Sequence, residues 1–217
     1  PHTPTETVVR SMTDLVRNGA ATAWGTSEWS AQQITEAVWM ARAYGLEPPQ
    51  FEQPQYNMLH RERFESEYHP LYQAPYNMGT TTWSPLASGF LTGKYNGAIP
   101  EGSRLTQKGY RWLIDTLESR KEKGLVETMK KLSDFAESNL DCNLTQLALA
   151  WCVKNPNVST VILGATNPKQ LEENLKCLPV VERLRPEHMA EIDKILGNKP
   201  EGYSGYGGKG MRELTTI

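Results

Sequence analysis

Short apolar runs suited to β-strands recur in this chain about every 30 residues, the length of one strand–helix–strand unit, and helical patterns fill the intervals. That spacing limits the fold more than any other feature. Residues 21–24, 51–53 and 78–83 are the first three strands read this way, and 159–163 the fourth. Strands joined by helical crossovers run parallel, so the architecture is α/β.

Local signals bound the helices. Thr3-Pro4-Thr5-Glu6 reads as a capping box that opens a helix to about residue 17, closed at Asn18-Gly19. Ser30 caps a helix over 31–44 that Gly45 stops. A less regular helix covers 61–72. A long polar stretch rich in glycine and charge, 94–118, then separates these units from helices over 121–137 and 144–153, and two more cover 168–177 and 186–196. Repeated Gly, Tyr and Ser without periodicity predict a flexible tail over 201–217. Four parallel strands cannot close a barrel. The chain is therefore either a small open sheet or the second half of a (β/α)8 barrel, and half a barrel alone is expected to be unstable or aggregation-prone.

Charge and composition narrow the function classes. Lys and Arg total 23 against 25 acids and form no run, so no nucleic-acid face is expected. No apolar stretch approaches the roughly 20 residues of a membrane span, and no secretory signal opens the sequence. Cys142, Cys152 and Cys177 are odd in number and lack metal-ligand spacing, which predicts a reduced, cytoplasmic setting and no metal. His2, His60, His69 and His188 are scattered, and each reads as a surface or capping residue.

The most suggestive motif is Thr82-Trp83-Ser84-Pro85-Leu86-Ala87-Ser88-Gly89, where an apolar strand runs into a hydroxyl residue followed by proline. Ser84 is a favoured N-cap and Pro85 suits the first helical position, so a helix start is expected there. Its free amides would attract phosphate. Gly164-Ala165-Thr166-Asn167 follows the last strand, where barrels commonly hold a phosphate.

These segments, taken in order with Trp24-Gly25-Thr26-Ser27, Glu52-Gln53-Pro54-Gln55-Tyr56-Asn57 and Leu163-Gly164-Ala165-Thr166-Asn167, resemble the aldo-keto reductase superfamily. Leu91-Thr92-Gly93-Lys94-Tyr95, Ser103-Arg104, Lys108-Gly109-Tyr110-Arg111-Trp112-Leu113 and Ile195-Leu196-Gly197-Asn198-Lys199-Pro200 resemble its branch of voltage-gated potassium channel β subunits. The match covers about residues 1–200. It implies strands five to eight of a TIM barrel and bound NADPH. By this resemblance Ser27 and Gln53 hydrogen-bond the nicotinamide carboxamide. Trp83 either stacks on the nicotinamide ring or plugs the barrel. Ser84, Pro85, Leu86, Ala87 and Ser88 cradle the pyrophosphate, and Lys94 and Arg104 meet the 2′-phosphate. Gly164, Thr166, Gln170, Glu173 and Asn174 complete the adenosine end. The spacing of the last three also fits a solvated helical face.

Two departures stand out. Where the channel-subunit branch has arginine after the serine of Trp-Gly-Thr-Ser, this chain has Glu28, a carboxylate unhelpful beside a phosphate unless it turns away. The family's catalytic Asp, Tyr, Lys and His or Asn have no counterpart in this chain, so no catalytic residue is named. Two functions of different class follow from the resemblance, beside a third reading in which the shortened chain binds nothing. One is NADPH-dependent reduction of aldehydes or ketones, with the proton-relay half supplied by upstream sequence. The other is a regulatory subunit, a soluble tetramer whose bound NADPH reports redox state to a membrane channel.

Overall fold

The computed structural model describes residues 3–201. The expected tail therefore lies outside the described residues from 202 onward. Four strands form one sheet of order β1-β2-β3-β4 with helices between them, the sequence of consecutive units in half of a (β/α)8 barrel. The chain divides into two compact units.

Among the described residues, the first unit contains those up to Pro54, Arg61–Thr81 and those from Lys199 onward. Helix α1 (Thr5–Arg17) begins later than the expected box allows. Pro4, at φ −58° and ψ 142°, is the last extended residue, no side chain caps it, and Glu6 instead pairs with Arg10 one turn on at 2.7 Å. Strand β1 is Gly25–Ser27, displaced from the expected 21–24. Trp24 is a buried lead-in: it packs with Val9, Ala37 and Ala41, and its indole donates to the Glu47 carbonyl at 2.9 Å. Pairing with β2, rather than hydrophobicity, sets where the ladder starts. Helix α2 (Ala31–Tyr44) forms as expected. Ser30 Oγ accepts from the Gln33 amide, Gln33 Oε1 accepts from the Ser30 amide, and Gly45 at φ 62° ends the helix.

Strand β2 (Phe51–Gln53) pairs parallel to β1 with Gly25 opposite Phe51, Thr26 opposite Glu52 and Ser27 opposite Gln53. A Cβ on Gly25 would lie 2.4 Å from the Phe51 carbonyl oxygen, so only glycine admits this approach. Residues 61–72 are irregular as expected, with a π-helical turn over Arg63–Glu67 and a 3-10 turn over His69–Tyr72. Strand β3 (Gly79–Thr82) runs parallel to β2. Burial alternates along the strands with period two: Thr26, Glu52 and Thr80 are buried, whereas Ser27, Phe51, Gln53 and Thr81 keep solvent contact on the opposite face.

The second unit contains Gln55–His60 and Thr82–Asn198. Helix α3 (Arg111–Glu122) occupies a stretch expected to be irregular, because only Leu113 and Leu117 bury apolar surface among its charges. Gly124, at φ 86°, separates it from α4 (Leu125–Leu140), which therefore starts later than expected. Helix α5 (Leu144–Lys154) is capped reciprocally by Asn143 and Gln146 and is buried from Gln146 through Cys152. It is the central element of this unit. Strand β4 (Thr160–Val161) is followed by Ile162, whose amide donates to the Thr82 carbonyl at 2.8 Å. Helix α6 (Pro168–Leu175) gives way to a short α7 (Leu178–Arg183) that carries too few residues for a sequence period, and α8 (Pro186–Leu196) ends at Gly197. No helix among the described residues is long and apolar enough to cross a membrane.

Candidate functional site

Ser84 does not cap a helix. Its φ of 56° lies in the left-handed region, whereas an N-cap needs extended backbone. Ala87 (49°), Ser88 (58°) and Gly89 (98°) are left-handed too, and such residues cannot propagate a right-handed helix. The expected helix start is replaced by a tight coil of turns over residues 84–93. Within it the Ala87 amide donates to the Ser84 carbonyl at 3.0 Å and the Gly89 amide to the Leu86 carbonyl at 2.8 Å. Asn57 Nδ2 also donates to the Ser84 carbonyl at 2.9 Å, fixing the entrance. Pro85 and Ala87 are buried.

The succession of backbone angles in this coil is of a kind that can present amides to an anion. Leu86, at φ −101° and ψ 13°, is followed by left-handed Ala87, and a right-handed to left-handed succession turns neighbouring amides into a shared concavity. Lys94 lies across the coil: a Cβ on Gly89 would meet its Cε at 2.8 Å and its Nζ at 3.1 Å. The Lys94 ammonium is 4.9 Å from the Tyr95 ring centroid. The buried hydroxyls of Tyr95 and Ser103 have no hydrogen-bond partner. Arg104, next to Ser103, is exposed with its guanidinium 5.8 Å from the Tyr110 ring. Cationic groups and orphaned donors thus collect on one stretch of chain.

In the first unit the two strand-end residues are neighbours. Ser27 Oγ donates to the Gln53 carbonyl at 3.0 Å, and Gln53 Nε2 donates to Thr81 Oγ1 at 3.4 Å. Trp83, in the second unit, is half-buried; it bridges to Gln55, and its carbonyl accepts from the Tyr56 amide at 3.2 Å. Glu28 has turned its carboxylate onto Arg63 at 2.8 Å.

At the adenosine end of the resemblance, Gly164 has open space where a Cβ would stand. The Thr166 amide and hydroxyl both donate to Gln170 Oε1, at 2.8 and 3.0 Å, and the Gln170 amide donates to Asn167, the cap of α6. Asn174 is buried rather than on a solvated face. Glu173 accepts from Lys176 Nζ at 2.7 Å, Gln146 Nε2 at 2.7 Å and Asn143 Nδ2 at 3.0 Å. The Lys176 hydrogen bond, supported by Asn143 and Gln146, holds this carboxyl below its usual range.

Glu52, absent from the sequence-based site, is the most unusual carboxyl. It sits in mid-strand with 1% exposure and accepts a hydrogen bond from Thr26 Oγ1. Its place between Phe51 and Gln53 is the signal available in the sequence, since period two puts it on the covered face. Burial raises it above 4.5 and outweighs the lowering by the Thr26 hydroxyl and the Glu28 and Trp29 amides. The folded chain therefore holds this proton more tightly than the unfolded chain does. The stability it contributes is full below pH 4.5 and falls as pH rises through the folded value. Glu52→Gln, neutral throughout, is expected to match the native chain near pH 4. At neutral pH, where the native carboxyl carries the cost of its burial, it is expected to melt above the native chain. Circular-dichroism melts at the two pH values check this.

The aldo/keto reductase family model matches residues 1–197. A protein of Schizosaccharomyces pombe named "Putative voltage-gated potassium channel subunit beta" is 46% identical over 200 residues, which is 92% of this chain and 57% of the relative. The chain thus spans a little over half the length of that relative. By the extent of the family match and this identity, the chain belongs to the aldo/keto reductase family.

Proposed function

We propose that the chain binds NADPH and serves as the cofactor-holding part of a reductase acting on aldehydes or ketones. The observation that carries this reading is the coil of left-handed turns over residues 84–93 with Lys94 across it. A dinucleotide fits the residues present: the concavity suits a pyrophosphate, the orphaned Ser103 hydroxyl and adjacent Arg104 suit a further phosphate, and open Gly164 suits close approach of an adenosine. Ser27, Gln53 and Trp83 would hold the nicotinamide. Ser84, Pro85, Leu86, Ala87 and Ser88 would hold the pyrophosphate, Lys94 and Arg104 the 2′-phosphate, and Thr166, Gln170, Glu173 and Asn174 the adenosine.

Bound NADPH supplies a hydride. This chain's residues orient the cofactor and exclude water. Reduction of a carbonyl also needs a proton donor at the developing alkoxide, and in this proposal that donor comes from residues outside this chain. A regulatory role is the second reading, favoured by the similarity to the channel β subunit-like relative. There the same cofactor face would report redox state to a channel α subunit, and the protein would work in the cytoplasm as a homotetramer.

Titration with NADPH and NADH, followed by tryptophan emission, tests the cofactor. Lys94→Ala and Arg104→Ala are each expected to weaken NADPH about tenfold and NADH by less than about twofold, the loss of one charged hydrogen bond to a phosphate. Equal losses for both nucleotides would show that these residues do not read the 2′-phosphate. Aldehyde turnover measured beside channel co-precipitation separates the two readings.

A further inference from the structure

Glu28 directly follows Ser27 and holds φ at 57°, a conformation that side-chain-bearing residues rarely adopt outside a surrounding that imposes it. The segment after β2 imposes it. Arg63 Nη1 donates to the Glu28 carboxylate at 2.8 Å and to its carbonyl at 3.4 Å. Arg63 Nε meets the Glu67 carboxylate at 3.3 Å, and the other Glu67 oxygen accepts from the Ala31 amide at 2.8 Å. The Tyr68 hydroxyl, kept protonated by burial, donates to the Trp29 carbonyl. Residues 28, 29 and 31 are each tied to the stretch 63–68. That stretch is π-helical over Arg63–Glu67, a rare conformation that carries an extra residue per turn and often marks functional sites.

We propose that Arg63 is a positioning residue of the cofactor site. By pairing with Glu28 it restrains a carboxylate that would otherwise repel a polyanionic dinucleotide, and it keeps the adjoining Ser27 hydroxyl on the Gln53 carbonyl. The inference rests on the NADPH reading. Arg63 is engaged by Glu28 and Glu67, and the role argued for it acts on the ligand through Glu28 and Ser27.

The test uses the full chain and NADPH binding followed by tryptophan emission at low salt and at about 0.5 M salt. Arg63→Met, which keeps much of the apolar stem, is expected to weaken NADPH about fivefold to tenfold at low salt and less at high salt. Arg63→Met combined with Glu28→Gln is expected to return to within about twofold of native, because the released carboxylate is gone. Arg63→Lys is expected to stay near native affinity. Unchanged affinity in Arg63→Met, or a double variant as weak as Arg63→Met, would overturn the inference while leaving the cofactor reading intact. Failure of the native chain to bind NADPH would overturn the cofactor reading itself, and with it this role of Arg63.

Discussion

Trp151→Ala is expected to destabilise the chain by about 4 kcal/mol, within the range for removing a buried tryptophan. The indole is 1% exposed on α5, and its ring stacks on Tyr56 with centroids 5.0 Å apart and planes at 29°. Tyr56 is itself anchored, its hydroxyl accepting from Asn155 Nδ2 at 2.9 Å. The cavity cannot collapse easily, because α5 is buried from Gln146 through Cys152 and its neighbours are already close-packed. Urea unfolding followed by far-ultraviolet circular dichroism measures the loss. A double-mutant cycle with Tyr56→Leu is expected to return a coupling of about 1 kcal/mol for the ring pair. A cost under about 1 kcal/mol for Trp151→Ala would mean that the core of the second unit lies elsewhere.

Gly25→Ala is expected to cost about 3 kcal/mol, the upper end for inserting one methyl into a packed site. The new Cβ would stand 2.4 Å from two groups of Phe51, the ring carbon Cδ2 and the carbonyl oxygen. The ring can rotate away. The carbonyl cannot, because Phe51 is the register partner of Gly25 and moving it opens the β1–β2 ladder. The same displacement would part Ser27 from Gln53 two residues later, so the NADPH affinity proposed above is expected to fall together with stability. Gly164→Ala is the control: nothing lies within 4 Å of its Cβ position, and its stability is expected to stay within about 0.5 kcal/mol of native. Parallel urea titrations of the two variants decide the matter, and equal stabilities would contradict the close approach.

What could be read from the sequence depended on how local the cause was. Ser30 with Gln33 and Gly45 bounded α2 because each signal acts on its own helix end, and Phe51–Gln53 was placed correctly between Pro48-Pro49 and Pro54. Hydroxyl–proline pairs misled twice. At Thr3-Pro4 the proline is the last extended residue, and at Ser84-Pro85 the chain turns left-handed four times in six residues, which no propensity at a single position encodes. Strand β1 slid to Gly25–Ser27 because its position answers to Phe51, 26 residues away in sequence. Helix α3 was hidden because two leucines four apart are a faint apolar stripe. Ser27 and Gln53 were named from motifs, and the structure sets them opposite each other. Arg63 was not legible, since nothing near it in sequence says that it returns over Glu28.

Glu173 serves two masters in the second unit. Its carboxylate accepts from both Asn143 and Gln146, the two halves of the cap that begins α5, while it stands on α6 behind the Gly164–Asn167 turn. A ligand that recruits Glu173 must share that acceptor with the first turn of the most deeply buried helix. Occupancy of the α6 surface and integrity of the α5 cap are then linked quantities, and by reciprocity a change in either is felt as an altered free energy in the other. One half-exposed carboxylate thereby gives the core of the unit a stake in whatever its surface would hold.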